Sequence, residues 1–136
     1  PIEGGAVRLI SGAWKGQQGF QGKHLPLEYY DISLDPGAKC AVETDRNKSA
    51  MVFLLLGAAK IAGEIVAEKT AVKLSAGDSV DLEALDESAE ILFVSSDKLE
   101  EPVSWGGPIV MNTRAELQQA FQELDAGTFL KEKVDY

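Results

Sequence analysis

Residues 101–121 read EPVSWGGPIVMNTRAELQQAF. The stretch joins two kinds of structure. Its second half has every mark of one helix. Thr113 and Glu116 fit S/T-x-x-E, in which hydroxyl and carboxylate each satisfy a free backbone N–H of the first turn. Leu117, Ala120, Phe121 and Leu124 follow at i, i+3, i+4 and i+7, so they share one face. Gly127 then stops the helix, as a glycine just past a C-terminus does. Burying Leu117, Phe121 and Leu124 would contribute roughly 1.5–3 kcal/mol each before ordering costs. That apolar face therefore needs a partner surface.

Everything before the stretch reads as short strands. The segments 6–11, 27–34, 39–43, 51–56, 60–66, 70–74, 79–85 and 91–95 are apolar or alternating. Turn residues bound them. Asp35-Pro36-Gly37 is the clearest turn: proline presets φ and glycine accepts a positive φ. Residues 51–56, within the run AMVFLLL, suit a central buried strand. Short strands at intervals of about ten residues indicate a β-sandwich or barrel rather than a βαβ fold. Only 114–126 is helical in pattern. The expected organisation is thus all-β, a barrel over 1–99, a connector over 100–113, a helix over 114–126 and a tail over 127–136.

The bulk numbers narrow the function. At 136 residues, with 45% hydrophobic and 26% charged residues, the chain has the size and composition of one globular domain. No run approaches 18 apolar residues, so no membrane helix is expected. The sequence opens at Pro1 without a basic and apolar leader, which reads as no signal peptide and as a processed chain or a fragment. The single cysteine, Cys40, excludes an intrachain disulfide and fits a reducing, cytoplasmic compartment. The net charge is −9, and residues 78–101 carry −8 of it: nine acids against Lys98. Such a surface repels phosphate backbones, which argues against direct nucleic-acid binding. The calcium loop D-x-[DN]-x-[DN]-G is absent, so these acids read as solvated charge.

Six of the thirteen glycines fall within the first 22 residues, and 16–23 reads as an irregular loop. It is not a phosphate cradle. A Walker A loop needs G-x4-G-K-[ST], whereas Gly16 lies one residue early and His24 takes the hydroxyl position. No helix follows to hold a phosphate.

The strand pattern, LDPGAK at 34–39, and EPV followed by GPIVMNT within 101–113 resemble the C-terminal half of pirin and pirin-like proteins. VRLISG at 7–12 looks like the start of that half. The resemblance implies a cupin jelly roll with one C-terminal helix, within a bicupin of about twice this length. It implies an iron site of three His and one Glu in the N-terminal cupin, and a C-terminal cupin usually without metal. Family members are associated with regulation through protein partners, and some with quercetin 2,3-dioxygenase activity. The expected partners are an N-terminal cupin half, in the same or a separate chain, and a regulatory protein.

The chemistry can be checked position by position. A metal-binding cupin brings three imidazoles and one carboxylate onto one ion and leaves positions open. With Gly57 closing the first motif, the Glu position is Ala50, and the two His positions fall within 43–46, where no His occurs. In the second motif the His position is Val80 and the last position Ala84. These read as vestigial, so no metal and no catalytic residue is expected in this chain. His24, the sole histidine, reads as a surface residue, and Cys40 as a small packed side chain. Glu43 and Asp45 could bind a hard cation only weakly. With one His and no G-x-S-x-G, a serine or cysteine triad lacks support. Of the aromatics, Tyr29 and Tyr30 are adjacent in a strand, so one points in and the other out. Trp105, beside Gly106-Gly107-Pro108, is either a docking anchor or packed on its own barrel. Trp105, Leu117, Phe121 and Leu124 are the candidate interdomain or partner contacts. Two other readings stand beside a structural, regulatory half. One is the supporting half of an iron-dependent quercetin 2,3-dioxygenase. The other is a free-standing domain whose barrel holds a small apolar ligand.

Overall fold

The computed structural model describes residues 1–132; the last part of the 127–136 tail, with Tyr136, lies outside the described residues. Contacts divide the chain into two compact units, Pro1–Lys98 and Leu99–Tyr136.

The first unit is built from strands β1 (Gly5–Ser11), β2 (Ala13–Trp14), β3 (Gln17–Gln18), β4 (Leu27–Leu34), β5 (Lys39–Glu43), β6 (Lys48–Leu56), β7 (Ala59–Ile61), β8 (Glu64–Val66), β9 (Thr70–Lys73), β10 (Ser79–Ala84) and β11 (Ala89–Asp97). A five-stranded sheet runs β1-β4-β11-β6-β9 and a four-stranded sheet β5-β10-β7-β8, with every named pairing antiparallel. This is the antiparallel sandwich of a jelly roll.

Alternation explains the sheets. In β4, Tyr30, Ile32 and Leu34 point inward, while Tyr29, Asp31 and Ser33 lie on the other face. In β10, Val80, Leu82 and Ala84 are buried, while Ser79, Asp81 and Glu83 face out. Asp81 and Glu83 of the acidic run thus lie on a solvated sheet face, as the period of two requires. Glu83 there is held below the usual carboxylate range by hydrogen bonds from Lys60 and then Lys39. The core is stacked in cross-strand layers. Ile32, Ile91 and Leu54 lie side by side across β4, β11 and β6, then Tyr30, Phe93 and Val52. Tyr30 and Phe93 stack with ring centroids 5.5 Å apart.

Three local expectations are corrected. The strand expected at 51–56 is longer and is buried on one face only. Met51 and Leu56 are exposed, and the middle of the larger sheet is β11. An apolar run mimics a doubly covered strand when its outer face is also apolar. The single strand expected at 60–66 is a hairpin, because Ala62 and Gly63 both take positive φ, as a two-residue type I′ turn demands. The loop at 16–23 contributes β3, which pairs with β2 around Lys15 and Gly16, again with positive φ at both.

The second unit holds a hairpin, β12 (Ser104–Gly106) and β13 (Ile109–Met111), and α1 (Arg114–Asp125). The hairpin lies inside the segment expected as a plain connector. Thr113 Oγ1 accepts from the Glu116 N–H at 3.2 Å, and Glu116 Oε2 accepts from the Thr113 N–H at 2.8 Å, the complete capping box. At the other end Thr128 N–H reaches Glu123 O at 2.8 Å and Gly127 N–H reaches Leu124 O at 3.0 Å, a Schellman motif with Gly127 at positive φ. Leu117 and Phe121 lie on Gly106 of the hairpin. A Cβ there would meet Phe121 Cε2 at 3.0 Å and Leu117 Cδ2 at 3.3 Å, so glycine lets the two side chains approach without shifting.

Candidate functional site

The functional candidate is a cavity of about 360 Å³ in the first unit. It is lined by Trp14 and Lys15 from the β2–β3 hairpin, Glu28 and Tyr30 from β4, Glu43 from β5, and Lys48 from β6, among others. The inward row of β4 explains why it is polar. Reading from Leu34 through Ile32 and Tyr30, the next inward residue is Glu28. Its cross-strand neighbour in β11 is Ser95, opposite Ala50 in β6. The apolar layers of the core therefore end in a layer of Glu28, Ser95 and Ala50. Lys48 is the next inward position of β6.

Charges in this layer are only partly matched. Lys48 Nζ donates to Glu28 Oε1 at 3.1 Å, and each side chain is 23% exposed. Glu28 Oε2 is buried and has no hydrogen-bond donor among the described residues. Tyr30 does not supply one: its hydroxyl donates to Ala13 O at 2.6 Å. Burial, and then the Glu28 charge, push the Tyr30 phenol up to about 12. Trp14 meets Tyr30 edge-on at 5.2 Å, and Lys15 Nζ lies 5.6 Å from the centroid of the Trp14 ring. Ser95, fully buried, is satisfied by Thr44 Oγ1 at 3.3 Å.

A second cavity of about 250 Å³ shares Thr44, Asp45 and Lys48 with the first. Ala50 and Val80 both line it. The alignment that puts the cupin Glu position at Ala50 and a His position at Val80 thus brings those two residues to one place, beside Thr44 and Asp45. Ala84 is not with them; it is buried opposite Ala59 in β7. Glu43 and Asp45, in the stretch where the paired imidazoles would stand, reach the first cavity. His24 is exposed in the loop before β4 and does not line the cavity. Cys40 is buried in β5, where burial pushes its thiol up and the Lys15 ammonium acts against that shift. Among the described residues, no group of three or more His, Cys, Asp or Glu could hold a metal ion.

Sequence reasoning did not single out Trp14, Glu28 or Lys48 for this site. The signal was there: Glu28 and Lys48 continue inward-facing apolar rows, where a charge is out of place unless paired or at an opening.

A family model, the pirin C-terminal cupin domain, matches residues 29–130. The chain belongs to the pirin family. It is 34% identical over 135 residues to a pirin-like protein of Caulobacter vibrioides, covering 95% of this chain and 49% of that one. Against human pirin it is 33% identical over 124 residues, covering 87% and 42%. A solved structure named quercetin 2,3-dioxygenase from Acinetobacter baumannii superposes with a TM-score of 0.87 at 29% identity, covering 95% of this chain and 45% of that one. The chain spans about half the length of the curated relatives it matches. As the family match implies, this pirin-type domain corresponds to the C-terminal half. Among the described residues, no helix of this domain is long and apolar enough to cross a membrane.

Proposed function

We propose that this domain is the metal-free, non-catalytic cupin half of a cytoplasmic pirin-like bicupin. It completes the two-domain body and contributes surface to regulatory protein contacts. One observation carries the reading. The positions where a cupin places its ligands hold Ala50, Val80 and Ala84, and Val80 and Ala84 are 3% and 1% exposed. A methyl or isopropyl group has no lone pair to give a metal, and the acids nearby bring no imidazole with them. These residues do not fit an iron centre. Iron, in this reading, belongs to the N-terminal half of the intact protein. The contact surface is supported by the second unit. Trp105 is 77% exposed, its indole N–H donating to Gly107 O at 2.7 Å, and Val110 lies opposite it on the hairpin. Phe121 and Leu124 are also exposed, and Leu117 half-buried.

The chain expressed alone is expected to hold no stoichiometric iron by metal analysis. One tightly held iron per chain would overturn the reading. A second reading draws on the A. baumannii structure's name: the intact protein is an iron-dependent quercetin 2,3-dioxygenase and this half supports an active site in the other. Oxygen uptake with quercetin then requires the N-terminal half, and turnover by the isolated chain refutes that division. The third reading, an apolar ligand inside the barrel, is disfavoured. Phe93, Ile32, Leu54 and Ile91 fill the interior, and the cavity at its end is lined by charged residues.

A further inference from the structure

The two sheets of the first unit differ in what they turn outward. On the four-stranded sheet the outward positions are charged: Lys39 and Lys60 both pair with Glu83, and Asp81 shares that face. The five-stranded sheet does the opposite. One outward row runs Tyr29, Val94, Met51 across β4, β11 and β6, and the next sets Leu92 beside Phe53 across β11 and β6. Charges flank these rows, with Arg8 paired to Asp31 on one side and Lys73 opposite Met51 on the other. An antiparallel sheet with one solvated face alternates apolar and polar residues, whereas apolar residues on both faces mark a sheet covered on both. Met51 is nevertheless 39% exposed. Aromatic and Met side chains at the centre, with charge kept to the rim, make the composition of an interface core. The position of this face in the chain points to what covers it. The chain spans about half the length of its curated relatives, and the family domain it matches is the C-terminal one. The other half of such a protein comes first and joins at the position of Pro1, just ahead of β1. β1 is an edge strand of the five-stranded sheet, so a preceding domain arrives at the margin of the apolar face, on the side of Arg8 and Asp31.

We propose that the outward face of the five-stranded sheet seats the preceding cupin half, which lays an apolar surface of its own against Tyr29, Met51, Phe53, Leu92 and Val94. The Arg8–Asp31 pair and Lys73 stay at the rim of the contact. The proposal rests on the bicupin reading and deepens it. That reading draws its contact surface from the second unit, whereas this face belongs to the barrel itself.

The test uses the full-length protein that carries this domain, with a single thiol placed on either sheet: Met51→Cys on the apolar face or Ser79→Cys on the charged one, both at exposed positions. Maleimide labelling is followed by mass spectrometry. Met51→Cys is expected to react at least about tenfold more slowly than Ser79→Cys, because a covered thiol reacts only while the contact is open. Local charge acts the other way: Lys73 opposite Met51 favours the reactive thiolate, and Glu43 opposite Ser79 disfavours it. Cys40 is buried and stays unlabelled while the domain is folded. Adding Phe53→Asp to Met51→Cys should restore fast labelling with Cys40 still silent. If that variant unfolds and Cys40 labels, the comparison of the two single thiols decides. Equal or faster labelling of Met51→Cys overturns the proposal, and so does slow labelling that a folded Phe53→Asp variant leaves unchanged. Protection that fades on dilution as the mass in solution falls by half marks a second copy on this face and overturns it too. A gene with no cupin ahead of this domain overturns the bicupin reading along with the proposal. Equal labelling in a two-cupin protein overturns the proposal alone.

Discussion

Tyr30 shows how much one residue can join. Its ring stacks on Phe93 in the core, its hydroxyl donates to the Ala13 carbonyl, and its phenol stands near the Glu28 charge. Alternation already required that one of Tyr29 and Tyr30 face inward; it could not say that the inward one would end the apolar core and begin a polar layer. The phenol is raised from its ordinary value of 10.0 to about 12 in the folded chain. A raised folded value means that the unfolded chain loses this proton first as pH rises. The associated stability is therefore complete below pH 10 and is lost between pH 10 and about 12. Urea unfolding across that range is expected to show falling stability, and Tyr30→Phe should flatten the fall. At neutral pH the same variant should cost about 1 kcal/mol, the net worth of one buried hydrogen bond. A Tyr30→Phe protein with an unchanged slope would place the phenol in water instead.

At the scale of the element, α1 was legible in detail and the hairpin before it was not. Both partners of the capping box, Thr113 and Glu116, are written three residues apart, and Gly127 is written at the stop. Helix ends depend on neighbouring residues, so sequence carries them. Thr113→Ala should cost about 1 kcal/mol, and amide exchange should quicken over 114–118 more than in the sheets. Uniform slowing or no change would mean that the cap is not holding the first turn. The strands β12 and β13 have three residues each, too few for a period of two to stand out. Their pairing also sets Trp105 opposite Val110 on an exposed face, so no apolar alternation marks it. The turn at Ala62 and Gly63 was missed for another reason. Alanine at φ 50° is an uncommon occupant of that region, and nothing in the letters announces it.

For the molecule as a whole, the first unit depends on inward rows that meet across sheets. Phe93 lies at the centre of the larger sheet, fully buried between Tyr30 and Val52. Phe93→Ala should cost about 3–5 kcal/mol through lost burial and the cavity left behind, measured by chemical denaturation. A loss below about 1 kcal/mol would mean that the core collapses to fill the space. The same stacking decides the site. Glu28 and Lys48 are twenty residues apart, on strands separated by β11, and meet only because the register sets Glu28 opposite Ser95 and Ser95 opposite Ala50. Ala50 and Val80, placed by two separate motif alignments, line one cavity. Ala84 lies outside that cavity, because where a strand runs relative to an opening is a property of the packed sheets.

By itself the sequence determined the all-β class, the strand alternation that turns one of Tyr29 and Tyr30 inward, and the capped helix. These follow from local rules, the period of two, the cap and the turn, which act between residues near in the chain. Only the tertiary structure decided that the polar layer lies at the end of the core, that Glu28 Oε2 is buried without a donor among the described residues, and that Trp14 and Lys15 line a cavity with Glu28. Those facts rest on register between strands distant in sequence. A register is settled by packing the whole inward face at once, so no single segment encodes it.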